Sequence, residues 1–221
     1  MYKTLKAVTV LLVFGASSIS IAQVNMNHTK LKTMTTEQTE KQALGNWESI
    51  TTEIRAGNNK NPDGTLKPFY LSRKFTFLPD NKFELTVTNF ADPYGKVPLA
   101  KMEIKGHTAW KGDHPIAEGA QKVDFMADEK YEVTPLLQGF ADVLNQYTKG
   151  FNVWKVGETQ SILKKAFAPF GLAEGQIFKE YDLIFLNHDM MFWGARNIDG
   201  RGFDTEENRP TNLQIPMVRR K

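Results

Sequence analysis

The sequence predicts a mainly β protein: an antiparallel barrel or open half-barrel with one helix packed on or in its concave face. Short runs in which apolar and polar residues alternate recur along the chain, and turn residues separate them. One segment, residues 134–147, has instead the three- and four-residue apolar spacing of a helix. Because 41% of the 221 residues are hydrophobic and 24% are charged, the composition is that of a folded globular domain.

The first residues have the pattern of a secretory signal peptide. Lys3 and Lys6 precede a short apolar run, and small residues follow it up to Ala22. This order predicts cleavage of residues 1–22 and export to the periplasm or out of the cell. An uncleaved anchor is the alternative, but the run is short for a bilayer. We therefore expect no transmembrane anchor.

The rest of the chain divides by composition into three parts. Residues 23–43 are polar and predict a flexible linker with a helical turn near Thr36–Leu44. Residues 44–218 predict a single β-barrel domain, and residues 219–221 predict a solvated basic tail.

Charge and cysteine content exclude several classes of protein. The formal net charge of +3, from 28 basic and 25 acidic residues, falls to +1 when the two leader lysines are removed. A chain so close to neutral gives no reason to expect nucleic-acid binding. Because the sequence contains no cysteine, disulfide bonds, thiolate metal sites and a cysteine nucleophile are excluded.

Alternation also predicts which side chains face the concave, inner side of the sheet. The predicted strands are residues 47–55, 69–77, 83–88, 100–108, 123–133, 151–156, 176–186 and 190–195. Turn residues 78–82 join the second and third strands in a hairpin. The inward residues, together with Phe140 of the helix, form the predicted ligand-binding set: Glu53, Arg55, Phe69, Leu71, Arg73, Phe75, Phe77, Leu85, Val87, Met102 and Ile104.

The helical segment begins at Thr134 and Pro135, which read as an N-cap followed by proline at the first helical position. Its apolar stripe packs on the sheet, where the helix either fills the concavity or acts as a lid. Residues 161–168 predict a second, shorter helix.

The first predicted strand opens with Gly45-Asn46-Trp47. In lipocalins and related calycins such a tryptophan closes the barrel base beneath a stacked arginine, so Trp47 is the predicted closure residue. One more core tryptophan is the alternative.

Longer blocks resemble the APCDD family (adenomatosis polyposis coli down-regulated proteins) over residues 44–218. The similar blocks occur in the family's order: Gly45-x-Trp47, Glu53-Ile54-Arg55, Leu71-Ser72-Arg73, Val133-Thr134-Pro135-Leu136, Trp154-Lys155-Val156-Gly157 and Arg209–Val218. The resemblance implies an APCDDC domain, a lipocalin-like half-barrel whose apolar cavity takes an acyl chain. The animal relatives are membrane-tethered, two-domain, cysteine-rich inhibitors of Wnt signalling. This chain has one domain and no cysteine and looks bacterial, so the Wnt role does not transfer.

Charges on the predicted inner face leave two interpretations of Arg73 open. A charge on an apolar face must be paired or must face a wet cavity. Arg73 is therefore either a clamp for an acidic lipid head group, or part of a structural pair with Glu53, which also shares its face with Arg55.

Enzymatic patterns are weak. No catalytic residue, metal site or cofactor is predicted, because His107, His114 and His188 lack the spacing of a zinc site. Glu180 and Asp182 are interpreted as a solvated face. Residues 190–193 predict a buried last strand, with an exposed rim for a membrane or protein partner as the alternative.

The sequence therefore predicts a non-enzymatic, exported protein that binds a lipid or acylated molecule. A protein-interaction module whose barrel is filled by its own side chains is the competing class, and a hydrolase is the third. The pattern does not predict an oligomeric state.

Overall fold

A computed structural model describes residues 34–220, apart from the side chain of Asn58. These residues belong to one compact unit. The predicted signal peptide and the first part of the predicted linker lie outside the described residues.

The structure is mainly β, with 47% strand and 13% helix, which confirms the predicted class. Within residues 34–220, ten strands form one antiparallel sheet. They are β1 (Gly45–Ser49), β2 (Glu53–Lys60), β3 (Leu66–Phe77), β4 (Lys82–Phe90), β5 (Pro98–Asp113), β6 (Gln121–Pro135), β7 (Gln160–Ser161), β8 (Lys179–Asn187), β9 (Met190–Trp193) and β10 (Met217–Arg220).

Eight of these strands form a hydrogen-bonded ring within the described residues. The order is β1-β10-β9-β8-β6-β5-β4-β3, and β3 pairs again with β1. β2 pairs with the first half of β3, and β7 pairs with the end of β6. Because residues directly opposite each other on neighbouring strands point to the same side, the register defines an inner and an outer face of the ring.

The predicted hairpin between β3 and β4 forms through a tight turn. Asp80 and Asn81 occupy its centre, both with left-handed backbone angles (φ 59° and 57°). Two successive left-handed residues match the twist of the flanking strands, and aspartate and asparagine tolerate this conformation better than most residues.

Two strand predictions and the tail prediction need correction. The predicted strand 47–55 is two strands, because the chain breaks at residues 50–52 and both β1 and β2 pair with β3. Residues 151–156 form a loop, in which the backbone of Trp154 is held by the side chain of Asn145. The predicted tail is also wrong for Arg219 and Arg220, which belong to β10.

The first helix corrects the linker prediction. α1 (Thr36–Ala43) begins with a capping box, in which the Thr35 and Gln38 side chains each bond the other's backbone N–H. Thr39 and Ala43 are buried. The helical turn predicted here is confirmed, but these residues are packed on the domain and do not form a flexible linker.

The second helix starts later than predicted. α2 (Gln138–Tyr147) follows β6, and Thr134 and Pro135 are the last residues of that strand, paired with Lys101 and Ala100. The apparent cap is therefore a strand end. The short helix predicted at 161–168 is wrong, since this stretch holds the end of β7 and turns, and a single 3-10 turn covers Ala168–Phe170.

α2 and the segment after it extend the hydrophobic core. α2 packs against β6 and the 3-10 turn, and it buries Ala141 and Leu144. These residues join the same core as the inward side chains of the ring. This packing favours a filling role for the helix over that of a free lid.

No helix within residues 34–220 has the length and apolar character needed to cross a bilayer.

Candidate binding site

The inner face of the ring brings the predicted binding residues together on neighbouring strands. Register places them in cross-strand rows, with Phe77 next to the first row: Phe75–Leu85–Ile104, Arg73–Val87–Met102, Glu53–Leu71 and Arg55–Phe69. Phe140 comes from α2 and packs against the same core. The side chains predicted from alternation to share one face of the sheet therefore do share its inner face in the structure.

Most of this set is buried, but three apolar members are not fully covered. The buried apolar members are Leu71, Phe75, Phe77, Val87, Met102 and Ile104. Phe69, Leu85 and Phe140 pack against the core and remain half-buried. Leu85 lies between Phe75 and Ile104 in the middle of the inner face and is partly exposed.

Glu53 is the centre of a buried group of polar side chains. Its Oε1 accepts hydrogen bonds from Ser49 Oγ (2.7 Å) and Arg73 Nε (2.9 Å). Its Oε2 accepts from Arg55 Nη2 (2.8 Å). The amide oxygen of Gln214 accepts from both guanidinium groups, at 2.7 Å from Arg73 and 2.9 Å from Arg55. We call these five residues the Glu53 cluster.

The geometry of this cluster favours the structural interpretation of Arg73. Burial raises the pKa of Glu53, but the charges of Arg73 and Arg55 outweigh burial and lower that pKa to about 2. The guanidinium carbon of Arg73 lies 4.7 Å from the ring centroid of Trp193. A carboxylate on one side and an aromatic ring on another therefore hold the Arg73 side chain.

Asp182 was not recognised as an inner residue, and its assignment to a solvated face is wrong. It is 2% exposed and lies opposite Val123 on the inner face. Its Oδ1 accepts the backbone N–H groups of Leu183 (2.7 Å) and Gly194 (3.0 Å). Burial, with the nearby charge of Glu180, raises the pKa of Asp182 to about 7.

Trp47 lies where the ring closes, as predicted for a closure residue. It stands on β1 opposite Phe75 of β3 and Arg219 of β10. The guanidinium carbon of Arg219 lies 4.2 Å from the Trp47 ring centroid, and the indole N–H donates to Ala43 O (2.7 Å). The arginine that stacks on Trp47 thus comes from the stretch predicted as a tail.

Aromatic rings fill the ring interior next to the Glu53 cluster. Phe75, Phe77, Phe83, Phe125 and Trp193 are packed with neighbouring ring centroids 4.5–6.2 Å apart. Among the buried side-chain nitrogen and oxygen atoms of residues 34–220, Trp193 Nε1 alone has no hydrogen-bond partner. A buried N–H without an acceptor costs about 1–3 kcal/mol.

The late apolar run is a buried strand, as predicted. Met191 and Trp193 are buried, while Met190 is 37% exposed. This alternation is that of a strand with one face in the core.

In the described part of the chain, no three histidine or carboxylate side chains lie close enough together to hold a metal ion. His107 Nδ1 lies 3.0 Å from both carboxylate oxygens of Asp128. The pair sits where β5 and β6 shift register.

No protein-family model matches the chain, and no curated protein matches it. The resemblance to the APCDD family therefore stays a prediction from the residues quoted above.

Proposed function

We propose that this protein is an exported, non-enzymatic binding protein that holds a lipid or acyl chain inside a lipocalin-like barrel formed by the ring. The observation that carries the proposal is the partial exposure of Leu85. This apolar side chain points inward between two buried neighbours and is still only half-buried. An inward apolar surface that solvent reaches gains free energy when an apolar ligand covers it.

The expected affinity needs no special chemistry. Each buried methylene group contributes about 0.8 kcal/mol before the entropy of ordering is subtracted. Full burial of a chain of about 16 carbons would contribute roughly 13 kcal/mol before these costs, which leaves about 5 kcal/mol for them at micromolar affinity. Phe69 and Phe140 share the half-buried character of Leu85.

The resemblance to the APCDD family implies a cavity of the same kind and favours an acylated ligand.

The test is lipid extraction and mass spectrometry on the purified mature protein, followed by displacement of a fluorescent fatty acid from the delipidated form. We expect a stoichiometric lipid and displacement at micromolar concentration. Leu85→Gln should weaken binding about tenfold, because it places a polar amide against the chain. Thr86→Gln, on the opposite face of β4, is the matched control and should leave affinity unchanged.

A second candidate is a protein-interaction module whose ring is filled by its own side chains. The aromatic packing of Phe75, Phe125 and Trp193 favours it. A folded protein with no co-purified lipid and no displacement would select this candidate and end the lipid proposal.

A further inference from the structure

A cavity of about 340 Å³ lies among the loops that follow β9. Its volume is in the range of small-molecule sites, which begin at about 300 Å³. Polar and charged residues form most of its wall: Arg196, Asn197, Asp199, Arg201, Thr211 and Asn212. The one carboxylate in the wall, that of Asp199, is 3.4 Å from Arg201 Nε. The wall therefore offers two guanidinium groups, two amides and a hydroxyl, and its carboxylate faces a cation.

Arg196 connects this cavity to the inner face of the ring. Its guanidinium carbon lies 5.3 Å from the ring centroid of Phe69, and its Nε donates to Gly200 O (3.0 Å). Phe69 lies opposite Arg55 in the β2–β3 register. The Arg196 side chain is thus held between the half-buried apolar surface and the cavity.

Charges of both signs lie near Arg196. Burial lowers the pKa of Arg196, and the neighbouring charge of Arg55 lowers it further, while Glu180 and Asp204 act in the opposite direction. The case for an anion therefore rests on the donors of the cavity wall.

We infer that this cavity binds the anionic head group, a carboxylate or a phosphate, of an amphiphile whose chain lies along Phe69 and Leu85. The inference rests on the proposed function and names its ligand class. The planar donor fork of arginine matches both anions, and the amide and hydroxyl groups of the wall add further donors. Arg73 is not the head-group residue, because Glu53, Gln214 and Trp193 already hold its guanidinium.

Displacement titrations on the delipidated protein test this assignment. The ligands are hexadecanoate, hexadecyl phosphate and uncharged hexadecanol, with butyrate and inorganic phosphate as anions without a chain. Arg196→Gln and Arg201→Gln should each weaken the two charged amphiphiles about tenfold and leave hexadecanol unchanged. Arg201 is exposed, so its variant gives a result even if Arg196→Gln fails to fold. Arg220→Gln, at an exposed pair with Glu48, is the control and should change nothing.

Each of the other possible results of these titrations would contradict a specific part of the proposal. If wild-type protein binds all three amphiphiles and both variants lose affinity equally for charged and uncharged ones, the head-group assignment is wrong and the proposed function stands. If Arg73→Gln alone removes the preference for charged ligands, the head group lies at the Glu53 cluster. If butyrate or phosphate binds as tightly as hexadecanoate, the cavity takes a free anion and its connection to the chain is wrong. If wild-type protein binds no amphiphile, the proposed function itself fails.

Discussion

Two groups of buried charges, the Glu53 cluster and the group around Arg209, differ in how their charges balance. On the inner face, two arginines of the Glu53 cluster share one carboxylate. On the outer side, Arg209 Nη2 lies 2.6 Å from Asp124 Oδ1, and Lys179 Nζ lies 3.2 Å from Asp124 Oδ2. The outer pair is also buried, with side chains only 4% and 3% exposed.

The outer group joins a loop to the sheet. Arg209 Nη1 donates to the backbone carbonyls of Val123 and Asp182, on β6 and β8. Glu206 supplies a second carboxylate to Arg209, so two cations face two anions. All of these contacts join one part of the protein to another, so the role of the outer group is structural.

The inner group has no such balance, because Glu53 is the one carboxylate of the Glu53 cluster and faces two arginines. Asp182, on the same inner face, has a pKa raised to about 7, so its charge depends on pH. Buried ion pairs thus hold a loop to the sheet in the outer group and lie among the predicted binding residues in the inner one.

Gly194 shows how close the two groups are. A Cβ atom at this position would overlap both the Pro210 ring and the Asp182 carboxylate. Only glycine lets the loop that carries Arg209 approach the strand that carries Asp182.

The largest expected effect is that of Arg209→Met. Removing this guanidinium leaves Asp124 with Lys179 alone and frees two strand carbonyls, so the free energy of unfolding should fall by about 4 kcal/mol. Urea unfolding measures it, with Arg220→Met at an exposed pair as the control, expected to cost less than about 1 kcal/mol. A loss below about 1 kcal/mol for Arg209→Met would contradict the structural role of the outer group.

Next comes the acid response of the inner cluster. The pKa of Glu53 is lowered from 4.5 to about 2, so the unfolded chain binds more protons than the native protein between these two pH values. The free energy of unfolding must therefore decrease as the pH is lowered through this range. We expect a loss of about 3 kcal/mol on going from pH 4.5 to pH 2. Glu53→Gln should flatten this part of the profile, and an unchanged slope in that variant would show that other groups cause it.

A smaller effect is expected for Arg73→Met. Glu53 keeps its bonds to Arg55 and Ser49, so the free energy of unfolding should fall by about 2 kcal/mol, less than for Arg209→Met. If the two losses are equal in urea unfolding at pH 7, the two groups are equally structural and the contrast between them fails.

The smallest expected effect is a decrease in the free energy of unfolding as the pH rises, the opposite of the response expected for Glu53. The pKa of Asp182 is raised to about 7, so the native protein binds more protons than the unfolded chain from about pH 4 to pH 7. The free energy of unfolding should therefore fall by about 2 kcal/mol from pH 5.5 to pH 8. Asp182→Asn should remove that decline, and a decline that persists in the variant would assign it to another group.

Local alternation was enough to predict the inner face of β3, β4 and β5. Because the side-chain period of a strand is two, Phe75, Leu85 and Ile104 could be placed on one side without a structure. The same logic should have found Asp182, which alternates with the buried Ile184 and Leu186. Its charge suggested a solvated face, whereas in the structure it accepts the backbone N–H groups of Leu183 and Gly194.

Long-range partners could not be predicted. Gln214 reaches the Glu53 cluster, and Arg209 reaches Asp124, from loops whose path no local pattern encodes. Residues 151–156 look like a strand because most of their apolar side chains alternate with polar ones, yet Asn145 of α2 and Thr148, which follows that helix, hold Trp154 in a loop. Tertiary contacts overrode local preference in each case.

The pairing of β1 with β10 sets the order in which the protein can fold. Trp47 and Arg219 are cross-strand neighbours, so almost the whole domain must be made, and for an exported chain translocated, before the seam between them closes. Until then β1 and β9 each present an unpaired edge on which another chain could add a strand. Such distant pairing slows folding, and the interval before closure is when this protein is most exposed to aggregation.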